Sequence, residues 1–171
     1  MNAMWKHTGL NRPEFAITPQ PGQESVWDYP RPPDIRADQR RVKVHAGNQV
    51  LAETTRAKRI LETASPPTFY LPPEDVALEC LVPASGVSFC EWKGTARYWA
   101  VEGSTTPVAW SYPDPTAAFS AIAAWLSFYP GRVACYVDGE RVRPQPGGFY
   151  GGWLTAEIVG PVKGDPGSGG W

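Results

Sequence analysis

Polar and apolar residues alternate over 41–46 (Arg-Val-Lys-Val-His-Ala), the two-residue period of a strand with one buried face. Gly47-Asn48 then fits a hairpin turn that returns the chain through 49–53. The run 54–62 reads as a helical turn passing into a strand, and Pro66-Pro67 stops it. Residues 72–76 read as a short helical turn, because proline is tolerated in a first turn. Further strands are predicted over 79–82, 88–93, 96–101, 108–112 and 133–137. The last returns through the hairpin pair Asp138-Gly139 into 140–142. One helix is predicted, from about residue 116 to 124, with Asp114 as its cap and Pro115 opening it. Phe119, Ile122 and Ala123 share its apolar face. Many short strands, one short helix and turn signals at roughly 8–12-residue spacing make a mainly β chain, sandwich-like or curled.

Composition divides the 171 residues into three zones. Residues 1–39 hold six prolines and little periodicity, yet carry Trp5, Phe15, Trp27 and Tyr29. Disordered linkers are poor in aromatics, so this zone is expected to be an arm lying on the domain or on a second subunit. Residues 40–143 form the folded centre. Residues 144–171 contain nine of the 17 glycines without the spacing of a phosphate-binding loop. They read as a second arm, docked by Phe149, Tyr150 and Trp153.

Charge and cysteine content narrow the function. Sixteen basic residues against 17 acidic ones leave a net charge of −1, with no basic stripe of the kind that tracks nucleic acid. No run is long and apolar enough for a membrane helix, and the first residues lack a signal-peptide pattern. The chain reads as cytoplasmic. Cys80, Cys90 and Cys135 form no Cys-x-x-Cys pair, and the only histidines are His7 and His45. That set does not supply a four-ligand zinc site, so neither metal nor cofactor is expected. In a reducing compartment the thiols are expected to be free.

The densest chemistry lies in 89–99, Phe-Cys-Glu-Trp-Lys-Gly-Thr-Ala-Arg-Tyr-Trp. With Gly94-Thr95 as the central pair of a type II′ turn, Lys93 faces Ala96 and Glu91 faces Tyr98. Phe89, Glu91, Lys93 and Tyr98 then share one face, while Cys90, Trp92, Arg97 and Trp99 share the other. The first face has an acceptor, a cation and a phenol beside an aromatic wall, the make-up of a ligand pocket. Equally, Glu91 and Lys93 fit a half-solvated sheet surface. Trp110 and Tyr112 form a second candidate pair, with core packing as the plainer alternative, and Tyr70 adds a wall. This register puts Lys93 on the opposite face from Cys90, which favours a core thiol over a reactive one.

Several segments together resemble the domain of unknown function 427 family. They are Glu62 with Tyr70-Leu71-Pro72, the run Cys90 to Tyr98, the run Ala109 to Pro115, Phe128-Tyr129, and Val137 to Glu140. Members often have proline where this chain has Glu91. The Pro-rich arm and Gly-rich tail are similar to those of a longer subgroup. The resemblance implies a β-tent, two small antiparallel sheets leaning together over a cleft, a fold similar to methionine-R-sulfoxide reductase B and translationally controlled tumour protein. The family has also carried a nucleotidyltransferase label. Gly103-Ser104 is present here, but no second acid follows Asp114, so the metal-binding pair of that chemistry is missing.

Three functions follow as expectations. The first is a small polar ligand bound in an aromatic-lined cleft by Lys93, Tyr98, Trp110, Tyr112, Glu91 and Tyr70. The second is a thiol-redox enzyme using Cys90. The third is an interaction module whose arms mediate homodimerisation.

Overall fold

The structure, a computed structural model, describes residues 5–171. Its strands are β1 (Glu24–Ser25), β2 (Asp34–Asp38), β3 (Val42–Ala46), β4 (Gln49–Thr54), β5 (Ala57–Leu61), β6 (Thr68–Tyr70), β7 (Leu81–Cys90) and β8 (Gly94–Val101). They continue with β9 (Pro107–Ser111), β10 (Leu126–Phe128), β11 (Ala134–Val137), β12 (Glu140–Arg141), β13 (Arg143–Pro144), β14 (Trp153–Leu154) and β15 (Ile158–Val159). The chain is mostly β, in several small sheets, none closed into a barrel. Two are four-stranded and antiparallel, ordered β10-β9-β8-β7 and β12-β11-β3-β4. A third, β2-β5-β6, is also antiparallel.

Alternation of side chains explains the main core. Val42 and Val44 from β3, Leu51 from β4, Phe69 from β6, and Leu126 and Phe128 from β10 meet in one buried cluster. Backbone bonds between Leu71 and Leu126, 2.8 and 3.0 Å, stitch the chain after β6 to β10 and so hold the third sheet beside the first. The Asp138-Gly139 turn has φ of 46° and 82°, the double positive φ of a type I′ hairpin.

Several boundaries differ from the sequence expectations. Residues 81–90 form one strand rather than two. Pro83 sits in it because β7 is an edge strand, where a missing N–H is tolerated. A register shift between Ala84 and Val87, spanning Gly86 at φ 102°, absorbs the break. The expected helix is a 3₁₀ segment, Ala117–Ile122, interrupted at Phe119. Thr116, not Asp114, precedes it, and its hydroxyl donates to the Trp92 carbonyl at 2.6 Å instead of capping the helix. Residues 34–38, within the Pro-rich zone, pair with β5 as a full strand.

Both terminal zones pack on the body and on each other. β1 and β15 pair in parallel, Glu24 with Ile158 and Ser25 with Val159. Trp27 is fully buried against Val26, Tyr29, Leu61, Ile158 and Val162. Removing an aromatic side chain of 150–250 Å² from water gives an upper bound of about 4–6 kcal/mol, which explains how so proline-rich a segment is held. A half-buried ionic network adds specificity. Arg59 donates to both Glu24 oxygens at 2.9 and 3.2 Å, and the Tyr29 hydroxyl donates to Glu24 at 2.6 Å. Arg40 bridges Asp38 at 2.7 Å and Glu157 at 2.5 Å.

Candidate ligand cleft

The β7–β8 hairpin builds the floor of the site. Its turn is Glu91-Trp92-Lys93, closed by Cys90 opposite Gly94, whose φ of 102° suits only glycine. Ser88 therefore lies opposite Ala96 and Val87 opposite Arg97. This corrects the expected register. An odd-numbered turn reverses the parity of the two strands, so Cys90 shares a face with Ala96 and Tyr98 rather than with Arg97 and Trp99. Trp110 pairs with Tyr98 on the neighbouring strand and extends that face. The turn is pinned from outside by Thr116, whose N–H donates to the Lys93 carbonyl at 3.2 Å.

A cavity of about 280 Å³ lies over this face. Of the sequence candidates, Lys93, Tyr98, Trp110, Tyr112, Tyr70 and Cys90 line it. Glu91 does not; it lies exposed in the turn. The opposite wall comes from β5 and β6 and the segment between them, with Ile60, Glu62 and Thr68. The remaining wall is the Gly-rich tail, with Gln145, Tyr150, Gly151 and Lys163. Gly151 is required there, because a Cβ would run into the Trp110 indole.

The polar groups differ in how far they are committed. Trp110 Nε1 donates to the Tyr70 hydroxyl at 3.0 Å, so these two brace one another in the interior. The Tyr98 hydroxyl donates to Ser88 Oγ at 2.7 Å, which leaves the Ser88 proton free to point elsewhere. Glu62 accepts from Arg31 Nε at 3.2 Å, and the Arg31 side chain is 1% exposed. Lys93 is only 9% exposed, yet among the described residues its ammonium has no hydrogen bond or ion pair; the face of Tyr112 lies 5.7 Å away. Burial pushes the Tyr112 phenol well above its usual range, and Tyr70 likewise. The Tyr129 phenol, tilted against Trp110 at 4.6 Å, is pushed up to about 12 by burial. All three are neutral donors at physiological pH.

The three thiols are free and dispersed: Cys135 is buried in the main core, Cys80 packs against it, and Cys90 faces the cleft. Burial raises the Cys135 thiol far above its usual range. Among the described residues no three His, Cys, Asp or Glu side chains gather as a metal site, and Gly103-Ser104 lies in an exposed turn outside the cavity lining. No described helix is long and apolar enough to cross a membrane.

Ser88, Gln145 and Lys163 carry no signal in the sequence, since the tail has no periodicity, and Glu62 stands out only through the family resemblance. Comparison with protein families bears out the resemblance. The model described as Domain of unknown function (DUF427), which also carries the label NTP_transf_9, matches residues 34–139. The chain belongs to the DUF427 family. The match begins at β2 and ends at the Asp138-Gly139 turn, so the DUF427 region supplies the floor and one wall, and the tail wall lies outside it. No curated protein matches the chain.

Proposed function

We propose that this DUF427 protein binds a small polar molecule in the aromatic cleft, with Lys93 holding an anionic or carbonyl group. The observation that carries this reading is Lys93 itself. Its stem is packed away from solvent, while its ammonium opens into the cavity and has no protein partner among the described residues, which leaves it available to a ligand. A ligand oxygen would supply the partner. Tyr112 and Ser88 are free to donate, Trp110 and Tyr70 form a rigid wall, and the cavity lies at the small end of the range for ligand pockets. Three unpaired thiols fit a cytoplasmic setting. Lys93→Met is expected to abolish binding of small carboxylates, measured by calorimetry, while leaving thermal stability unchanged or raised. Undiminished binding would sink the proposal.

A second reading, a thiol-redox site at Cys90, is favoured by the corrected register, which brings Cys90 and Lys93 to the same cavity. It requires Cys90 to be alkylated by iodoacetamide well below pH 8. An inert thiol there rejects it.

A further inference from the structure

Lys163 is the other cation of the cleft, and its backbone is unusually well fixed for a Gly-rich tail. Its N–H donates to the Ala64 carbonyl at 2.7 Å. Its carbonyl accepts from Gln145 Nε2 at 2.7 Å, and Gln145 Oε1 accepts from the Gly152 N–H at 3.1 Å. Gln145 is 4% exposed, so this clamp sits in the interior. The ammonium that the clamp presents is not spent on the protein. Among the described residues it forms no ion pair, and it lies 5.4 Å from the Tyr150 ring and 5.9 Å from the Trp5 ring. Both lysines line one cavity, Lys93 from the β7–β8 turn and Lys163 from the tail. The one acid of the lining, Glu62, is already matched by Arg31.

We propose that the cleft takes a compact dianion, two carboxylate-type groups on a small apolar or aromatic body, with Lys93 holding one group and Lys163 the other. This rests on the reading of Lys93 above and deepens it. The aromatic walls accommodate the body, and the lining presents one cation from the β7–β8 turn and one from the tail. A nucleoside triphosphate carries more negative charge than two lysines answer. Because Lys163 lies outside residues 34–139, the selectivity belongs to the tail rather than to the family region.

The test is calorimetric titration of the full chain with matched acids: benzoate against phthalate, isophthalate and terephthalate, and butyrate, valerate and hexanoate against succinate, glutarate and adipate. At least one diacid is expected to bind about tenfold or more tighter than its monoacid, the scale of one charge-assisted contact. Lys163→Met is expected to lower diacid affinity about tenfold or more and monoacid affinity by less, so that the preference is erased, and Lys163→Arg to retain it. Diacids no tighter than monoacids, or a preference that survives in Lys163→Met, overturns the proposal. If monoacid binding depends on Lys93 but shows no diacid preference, only this inference falls. If no acid binds, or Lys93→Met changes nothing, the site reading falls with it.

Discussion

Replacing Tyr70 with phenylalanine removes one oxygen from the interior and tests whether the site wall is held by its hydrogen bond. Tyr70 is fully buried and Trp110 is 7% exposed, and the indole N–H donates to the phenol oxygen at 3.0 Å. In Tyr70→Phe the ring packing survives, since the T-shaped contact at 6.2 Å involves only the rings. The Trp110 N–H is then left without an acceptor. An unsatisfied buried donor costs about 1–3 kcal/mol. For a chain of this size, each kcal/mol lowers Tm by about 2–4 °C, so a drop of about 2–12 °C is expected by calorimetry or near-ultraviolet circular dichroism. Ligand affinity should fall as well, because the freed indole no longer holds one orientation. A Tm within 1 °C of the parent would refute the reasoning, since it would mean that the indole finds another acceptor at no cost.

Gly151→Ala places a methyl group against the Trp110 indole, so the tail is expected to lift from the cleft and become sensitive to limited proteolysis, with a smaller effect on the residues of the DUF427 region. Stability should also fall in acid. Burial alone would raise the Glu24 and Asp38 carboxyls, but hydrogen bonds from Arg59 and Tyr29 to Glu24, and from Arg40 to Asp38, outweigh it and hold both below their ordinary values. Carboxyls depressed in the folded state contribute fully above their ordinary pKa, about 4, and lose that contribution as pH falls through the depressed values. Denaturant titrations from pH 6 to pH 2 should therefore show stability flat above about pH 5 and declining below about 4, with a shallower decline in Glu24→Gln. Arg31→Met strands Glu62 and frees the His7 and Trp171 carbonyls that Arg31 serves at 3.1 and 2.5 Å, so tryptophan emission should shift to the red as the terminal aromatic cluster opens.

Much of the strand layout was legible because its signals are local. The alternation over 41–46, the Gly47-Asn48 and Asp138-Gly139 turns, and the alternation through Trp110 and Tyr112 each lie within a few residues of the element they specify. What failed depended on partners distant in sequence. Pro83 and Gly86 look like breaks until β7 is known to be an edge strand with a register shift. Asp34–Asp38 looks like coil until β5 is there to pair with it. In the cleft, the aromatic and lysine candidates could be named, but their relation could not. The parity of the hairpin depends on whether the turn holds two residues or three, and Gly94 suits either as a sequence. The tail wall had no signal, since Gly151 matters only through an indole 41 positions earlier.

The placement of Lys163 has a consequence for how the protein is made. Chains emerge from the ribosome in order at about 5–20 residues per second, and early segments begin to fold first. Lys93 and the aromatic floor therefore leave the tunnel before Gln145, Gly151 and Lys163, and the cleft lacks its tail wall until they arrive. A bound molecule stabilises only the species that can hold it. If the cleft binds as proposed, the gain would fall on the finished chain and not on nascent or clipped ones, and occupancy of the cleft would act as a signature of completed synthesis.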